Sequence, residues 1–243
     1  MGWGVMKYVD ATYGNPGTRK IIVASHERSG THFMMNTLAD NFGYISDPWV
    51  DIDGDRLVNP YAPENIRAYL SGSEGRPVLN LFKTHYPAEF FDGIADWLLG
   101  EFTIIYMMRD TEPTLRSLRK HIKDLPWNAG PVMDDSEPDE KFFHTSPCGG
   151  LLRYQMRQYR FLWERHHEHL KGWGMKQPWA TKVIHVDYDD LNENFDATVA
   201  RLGRLIGMFP IHEKPKRPGR DDRVVNAERI CNDWHPKEET HAA

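Results

Sequence analysis

Cysteine is nearly absent from this chain: 243 residues contain two, Cys148 and Cys231. That excludes a disulfide framework, fits a reducing compartment and leaves no pair or quartet at metal-binding spacing. There is no surplus of positive charge either. Thirty Lys and Arg stand against 35 Asp and Glu, for a formal charge of -5 and a pI near 6.2. Bulk electrostatic binding to nucleic acid or an anionic membrane is thereby disfavoured, and an anionic ligand would need a local basic pocket. No apolar run approaches the roughly 18 residues of a membrane span. Residues 1–20 have no hydrophobic signal core. Gly2 invites a myristoylation reading, but position 6 is Met rather than Ser or Thr. These absences lead us to expect a soluble, cytoplasmic protein with neither a nucleic-acid partner nor a membrane span.

Repeats and low-complexity linkers are missing too, so the chain reads as a single domain over residues 1–243, with 40% hydrophobic and 12% aromatic residues to build its core. Residues 1–19 are an irregular lead-in. Residues 126–149, with four prolines and the acidic pairs Asp134-Asp135 and Asp139-Glu140, are expected to form a mobile lid loop.

The feature around which the rest is arranged is the stretch from Ser25 to Phe33. The apolar run Ile21-Ile22-Val23-Ala24 predicts a buried strand from Lys20 to Ser25. Met34, Met35, Leu38 and Phe42 share one face of a predicted helix over Thr31–Asn41, stopped by Gly43. A strand, a tight polar turn with Gly30 and a helix start make an anion cradle, because helix N-terminal amides point at a negative ligand. Arg28 adds a fixed charge, and Ser29 and Thr31 add hydroxyls.

Further strands are predicted over Val78–Lys83, Phe102–Met108 and Thr181–Val186. Helices are predicted over Pro63–Leu70, up to Leu99, after Asp110-Thr111, over Leu151–Leu170, and from Asp189-Asp190 to Gly207. Alternating strands and helices imply an α/β fold of three layers, a parallel sheet with helices on both faces. Ligands in such sheets bind at the carboxyl ends of the strands. That rule gathers the Arg28–Phe33 turn, Lys83-Thr84-His85 and Arg109, each directly after a predicted strand.

Several alternatives are weaker. A nucleotide triphosphatase would need G-x-x-x-x-G-K-[ST]; here Ser25 replaces the first glycine and Thr31 the lysine, so magnesium–ATP is disfavoured. Asp51-Ile52-Asp53-Gly54-Asp55 has its glycine at the wrong place for a calcium loop and Ala62 where the last Glu belongs. His166, His167 and His169 lack carboxylate or cysteine partners at fitting spacing and read as a solvated helix face rather than a metal site. Helical spacing nonetheless counts His166 as inward, along with Leu152, Tyr159, Leu162 and Trp163. Arg153, Arg157 and Arg160 form a basic stripe. Trp49, Trp127 and Trp179 are candidates for an acceptor pocket or for packing.

Arg28-Ser29-Gly30-Thr31 resembles the 5′-phosphosulfate loop of the sulfotransferases that use 3′-phosphoadenylyl sulfate (PAPS), with Glu27 in place of the usual proline and His32 in place of Thr or Ser. Lys83-Thr84-His85-Tyr86-Pro87 resembles the family's Lys-Thr/Ser-His-x-Pro. Arg109, with Ser117 eight residues on, is similar to its 3′-phosphate pair. Val186-Asp187-Tyr188-Asp189-Asp190-Leu191 is similar to its V-x-Y-E-D-L strand end, and Arg217-Pro218-Gly219-Arg220 to its Arg-Lys-Gly.

This resemblance, over residues 20–220, implies a P-loop-like sulfotransferase fold with PAPS as co-substrate, PAP as product and no metal. It implies His85 as general base, with Lys83 and Arg28 stabilising the transferring group. It implies Arg28, Ser29, Gly30, Thr31, His32 and Phe33 around the 5′-phosphate and adenine, Tyr188 on the adenine, Arg109 and Ser117 on the 3′-phosphate, and Arg217 and Gly219 closing over that 3′-phosphate. The acceptor would be a hydroxyl compound or an amine, on a small molecule, glycan or lipid. A P-loop kinase using magnesium–ATP and a catalytically silent nucleotide-binding module are the rival readings.

Overall fold

The computed structural model describes residues 20–44, 50–52, 63–72, 81–124 and 159–219. The lead-in, the lid segment 126–149, the aspartate-rich loop from Asp53, the start of the strand expected at Val78, the first part of the helix expected at Leu151, Arg153, Arg157, Trp49, Trp127, Arg220 and both cysteines lie outside these residues.

Five parallel strands form one sheet: β1 (Ile21–Ser25), β2 (Val50–Asp51), β3 (Leu81–Thr84), β4 (Thr103–Met108) and β5 (Ile184–Asp187), in the order β2-β3-β1-β4-β5. β1 is central, with Val23 opposite Lys83 on one side and Ile105 on the other. The helices are α1 (Thr31–Phe42), α2 (Pro63–Gly72), α3 (Ala95–Glu101), α4 (Thr111–Asp124), α5 (Tyr159–Met175), α6 (Trp179–Lys182), α7 (Tyr188–Glu193) and α8 (Phe195–Ile206).

The period-2 geometry of the strands divides their side chains between two cores. Ile21 and Val23 of β1, with Ile105 and Met107 of β4, pack on Met34, Met35, Leu38 and Phe42 of α1 and on Val199 and Leu202 of α8. Ile22 and Ala24, with Ile104 and Tyr106, face the other way onto Ile66 and Leu70 of α2, Leu98 of α3, Trp173 of α5 and Trp179. Both faces of the central strands are therefore sealed, and the fold is the expected three-layer α/β architecture. Among the described residues no helix is long and apolar enough to cross a membrane.

Three elements differ from expectation. The strand expected from Thr181 begins only at Ile184, because Thr181 and Lys182 belong to α6. The helix expected before Leu99 begins as a 3₁₀ turn over Ala88–Ile94 and becomes α-helical only at Ala95. The helix expected from Asp189 is two, because Asn194 (φ -114, ψ 44) leaves the helical region between α7 and α8. Asp187, rather than Asp189 or Asp190, starts it: the Asp187 carboxylate accepts from the amides of Asp189 and Asp190 at 2.8 and 3.3 Å. Trp179 is fully buried core, its indole N–H donating to Asp92 at 3.0 Å.

Candidate active site

The chain runs from β1 directly into the turn His26–Gly30, and α1 begins at Thr31. Two residues of this turn lie in the left-handed region, Arg28 at φ 68 and Gly30 at φ 97. Left-handed geometry is costly for arginine and free for glycine; strain of this kind persists where the surroundings impose it and clusters at ligand sites. Alternation of this sort turns successive amides toward one side, a concavity suited to an anion at the start of α1. Gly30 has a second reason to be glycine: a Cβ there would lie 2.4 Å from Cδ2 of Tyr188. Tyr188 also carries the Arg109 guanidinium 4.1 Å above its ring, within cation–π range. Arg109 Nη1 donates to the Arg28 carbonyl at 3.2 Å. Its Nε–H is buried with no hydrogen-bond partner among the described residues, a donor suited to an anionic oxygen.

Arg28 is exposed, and its Nε donates to Ser117 Oγ on α4 at 3.3 Å. Arg28, Arg109 and Ser117 are thus joined by direct contacts, where the sequence reading placed Arg109 and Ser117 apart from the cradle. Ser29 and Thr31 are buried at the base of the turn, and His32 is exposed. Phe33 stacks on Phe195 and meets Tyr188 edge-on, at centroid distances of 6.0 and 6.2 Å. Arg217 lies 5.5 Å from the Phe33 ring and grips Asn192 through its carbonyl at 2.7 Å and its side-chain oxygen. Gly219 is exposed beside it in sequence.

From β3 come Lys83, which is buried, and His85 just past the strand end. His85 Nδ1 lies 2.8 Å from the Ser25 carbonyl and 3.3 Å from Ser25 Oγ. A carbonyl only accepts, so Nδ1 carries the proton and the lone pair of neutral His85 sits on Nε2. Ser25 Oγ also bonds Thr31 Oγ1. One buried serine therefore connects the histidine to the first residue of α1, a role no sequence motif announced.

Behind the turn the structure corrects a sequence reading. His166 and His169 do not belong to a solvated face; they are 0% and 1% exposed, and Trp163, expected inward, is 42% exposed. Their rings meet His26 at centroid distances of 4.7 and 5.7 Å. Each Nδ1 is engaged: His26 donates to the Glu27 carbonyl at 3.0 Å, His166 pairs with Thr111 Oγ1 at 2.9 Å, and His169 with the Tyr106 hydroxyl at 3.0 Å. Each Nε2 is buried without a hydrogen-bond partner among the described residues. Burial, then Arg165, lowers His26 to about 4 against the opposing pull of Glu27. Burial, then His26 and His167, lowers His166 to about 4. Burial, then the neighbouring His26, His85, Arg165 and His166, drives His169 well below its ordinary value. Among the described residues no group of three His, Cys, Asp or Glu is arranged to hold a metal ion.

Glu27 was notable in the sequence only as a missing proline. Its carboxylate is held by both arms of Arg165 from α5 at 3.4 Å each. Burial works against its charge, but Arg165, His85 and His26 together outweigh burial and hold the carboxyl below its usual value.

A family model described as "Sulfotransferase domain" matches residues 18–217. No curated protein matches the chain. A mouse sulfotransferase, SULT7A1, whose crystal structure is described as complexed with PAP, is similar at 13% identity and a TM-score of 0.44, over 84% of this chain. The present chain spans 64% of the length of that one.

Proposed function

The chain belongs to the sulfotransferase domain family, and we propose that it moves a sulfuryl group from PAPS to a hydroxyl or amine acceptor on a small molecule, glycan or lipid. The observation that carries this reading is the meeting of three strand ends. His85, from β3, is hydrogen-bonded to the end of β1, where the anion turn begins, while Arg109, from the end of β4, reaches the Arg28 carbonyl in that turn. Ligands bind at this carboxyl edge of parallel sheets, where connections leave the central strand in opposite directions.

The residues present suit a nucleotide with separate 5′- and 3′-phosphates. The turn amides before α1 suit the 5′-phosphosulfate. The buried Nε–H of Arg109, with Arg28 and Ser117 close by, suits the 3′-phosphate. Tyr188 and Phe33 offer aromatic surface for the adenine, and Arg217 closes that side.

When bound, PAPS supplies an activated sulfuryl group and a stable leaving group, PAP. His85 Nε2 takes the acceptor's proton as the acceptor oxygen or nitrogen bonds to sulfur and the sulfur–oxygen bond to the 5′-phosphate breaks. Such a base contributes about 10²–10⁴-fold. Lys83 and Arg28 stabilise the charge that develops on the transferring and departing oxygens, as in phosphoryl transfer.

Calorimetric titration with PAP in the presence of a chelator, and separately with magnesium–ATP, tests the reading. Metal-free PAP binding in the micromolar range or tighter is expected. A preference for magnesium–ATP would replace it with the kinase reading.

A further inference from the structure

We propose that Glu27 and Arg165 are positioning residues for His85: the Glu27 carboxylate stabilises the imidazolium that His85 becomes on taking the acceptor's proton, and Arg165 holds that carboxylate and offsets its charge toward the donor's phosphates. The inference rests on His85 being the base in the reading above.

The geometry comes from one short turn. His85 Nδ1 is bound to the Ser25 carbonyl at the end of β1, and Glu27 is two residues further along in the turn that follows, where His85 acts on its charge. A carboxylate inside an anion cradle would repel a phosphate unless something neutralised it. Arg165 does so with both arms, at 3.4 Å from each Glu27 oxygen. A planar fork matched to two carboxylate oxygens fixes orientation as well as charge.

Arg165 is itself aimed by its helix. His166 and His169, its neighbours on α5, are buried against His26, and Trp173 is buried one turn beyond, so the rotation of α5 is set and Arg165 is directed at the turn. The charged and titratable groups acting on Glu27 are Arg165 from α5, His26 from its own turn and His85 from the end of β3. His85 and Arg165 also act on His169. The arrangement parallels a carboxylate that orients and steadies a catalytic histidine through the proton transfer. Here the carboxylate acts across the turn, and a cation restrains it so that the phosphates are still admitted.

The test needs no acceptor. In the full-length protein labelled at histidine, the ring of His85 is assigned by its loss in His85→Asn and titrated by NMR. Glu27→Gln removes the negative charge and keeps the shape, so the His85 midpoint is expected to fall by about 0.5–1 in pH. Arg165→Gln leaves Glu27 uncompensated, so the midpoint is expected to rise by a similar amount, and PAP to bind roughly tenfold more weakly. Arg165→Lys keeps the charge and should stay near wild type in midpoint. Both sites are partly exposed, with side-chain exposures of 33% and 28%, so the variants are expected to fold. A structural role alone would not move the midpoint in opposite directions. If PAP binds wild type but the midpoint stays within about 0.2 in both variants, or both shift the same way, the inference is overturned and the functional reading stands. If PAP fails to bind wild type while the midpoints move as stated, the coupling stands and the functional reading falls.

Discussion

Gly30 is where the most constraints meet in a single residue. Its φ of 97 suits glycine, and a Cβ would press on the Tyr188 ring at 2.4 Å. Gly30→Ala must therefore strain the turn and displace Tyr188, which supports Arg109 from below. A stability loss of roughly 1–3 kcal/mol is expected in urea denaturation, with PAP affinity falling at least tenfold by calorimetry. An unchanged affinity would show that Tyr188 and the turn do not act together. The residue types of this site were legible in the sequence: Arg28, Ser29, Gly30, Lys83, His85 and Arg109 all stand at strand ends. Ser25 and Glu27 were not. Ser25 acts through its backbone carbonyl as well as its hydroxyl, and a carbonyl carries no sequence signature. Glu27 acquires meaning only with Arg165, 138 residues away.

At the scale of elements, α1 does two jobs. Its N-terminus follows the turn proposed as the anion cradle, and near its C-terminus Asn41, fully buried, pins the segment after α8. The Asn41 side chain donates to the Lys216 carbonyl at 2.9 Å and accepts from the Lys216 amide at 2.7 Å, and its backbone carbonyl accepts from Ile211 at 2.8 Å. This clamp sets where Arg217 starts. Asn41→Ala leaves the two Lys216 backbone groups without their partner and is expected to cost about 1–3 kcal/mol. It should also make residues 208–219 the first site of limited proteolysis; a cleavage pattern identical to wild type would rule out the clamp. The element order was legible because helix and strand periods differ. The buried face of α5 was read two ways: helical spacing put His166 inward, as it is, while His166 and His169 taken as polar residues read as a solvated face, which they are not. With Trp173 they stand at i, i+3 and i+7, a stripe that would have read as buried had the residues been leucine. Imidazole can be polar or core-forming, and burial decides which.

For the molecule as a whole, the histidine cluster joins three parts that meet nowhere else in sequence: the β1 turn through His26, β4 through Tyr106 and α5 through His166 and His169. The rings are neutral in the folded protein, whereas unfolding returns each to about 6.5. Folded values are depressed, and protonation favours the unfolded chain. Stability is therefore full above pH 6.5 and is lost as pH falls through the window down to about 4 for His26 and His166. The loss is on the order of 3 kcal/mol per ring across that window. Urea midpoints measured at pH 7.5, 5.5 and 4.5 are expected to decline, and His166→Asn to flatten the decline. An unaltered slope in that variant would show that His166 does not titrate with unfolding.

By itself the sequence determined the three-layer α/β class, the family and the strand-end motifs, because these follow from local periodicity and from short runs in which neighbouring residues do the chemistry together. Only the tertiary structure decided which nitrogen of His85 bears the proton, that Arg28 and Ser117 meet, that three histidines are buried together, and that Arg165 neutralises Glu27. Each of those depends on groups brought close from distant positions, and in two cases on a backbone carbonyl. Distance in space and the loss of solvent change what a side chain does, and neither is written in the order of the residues. The anion turn after β1 could be read as a cradle from its own nine residues; what sits beside it required the fold.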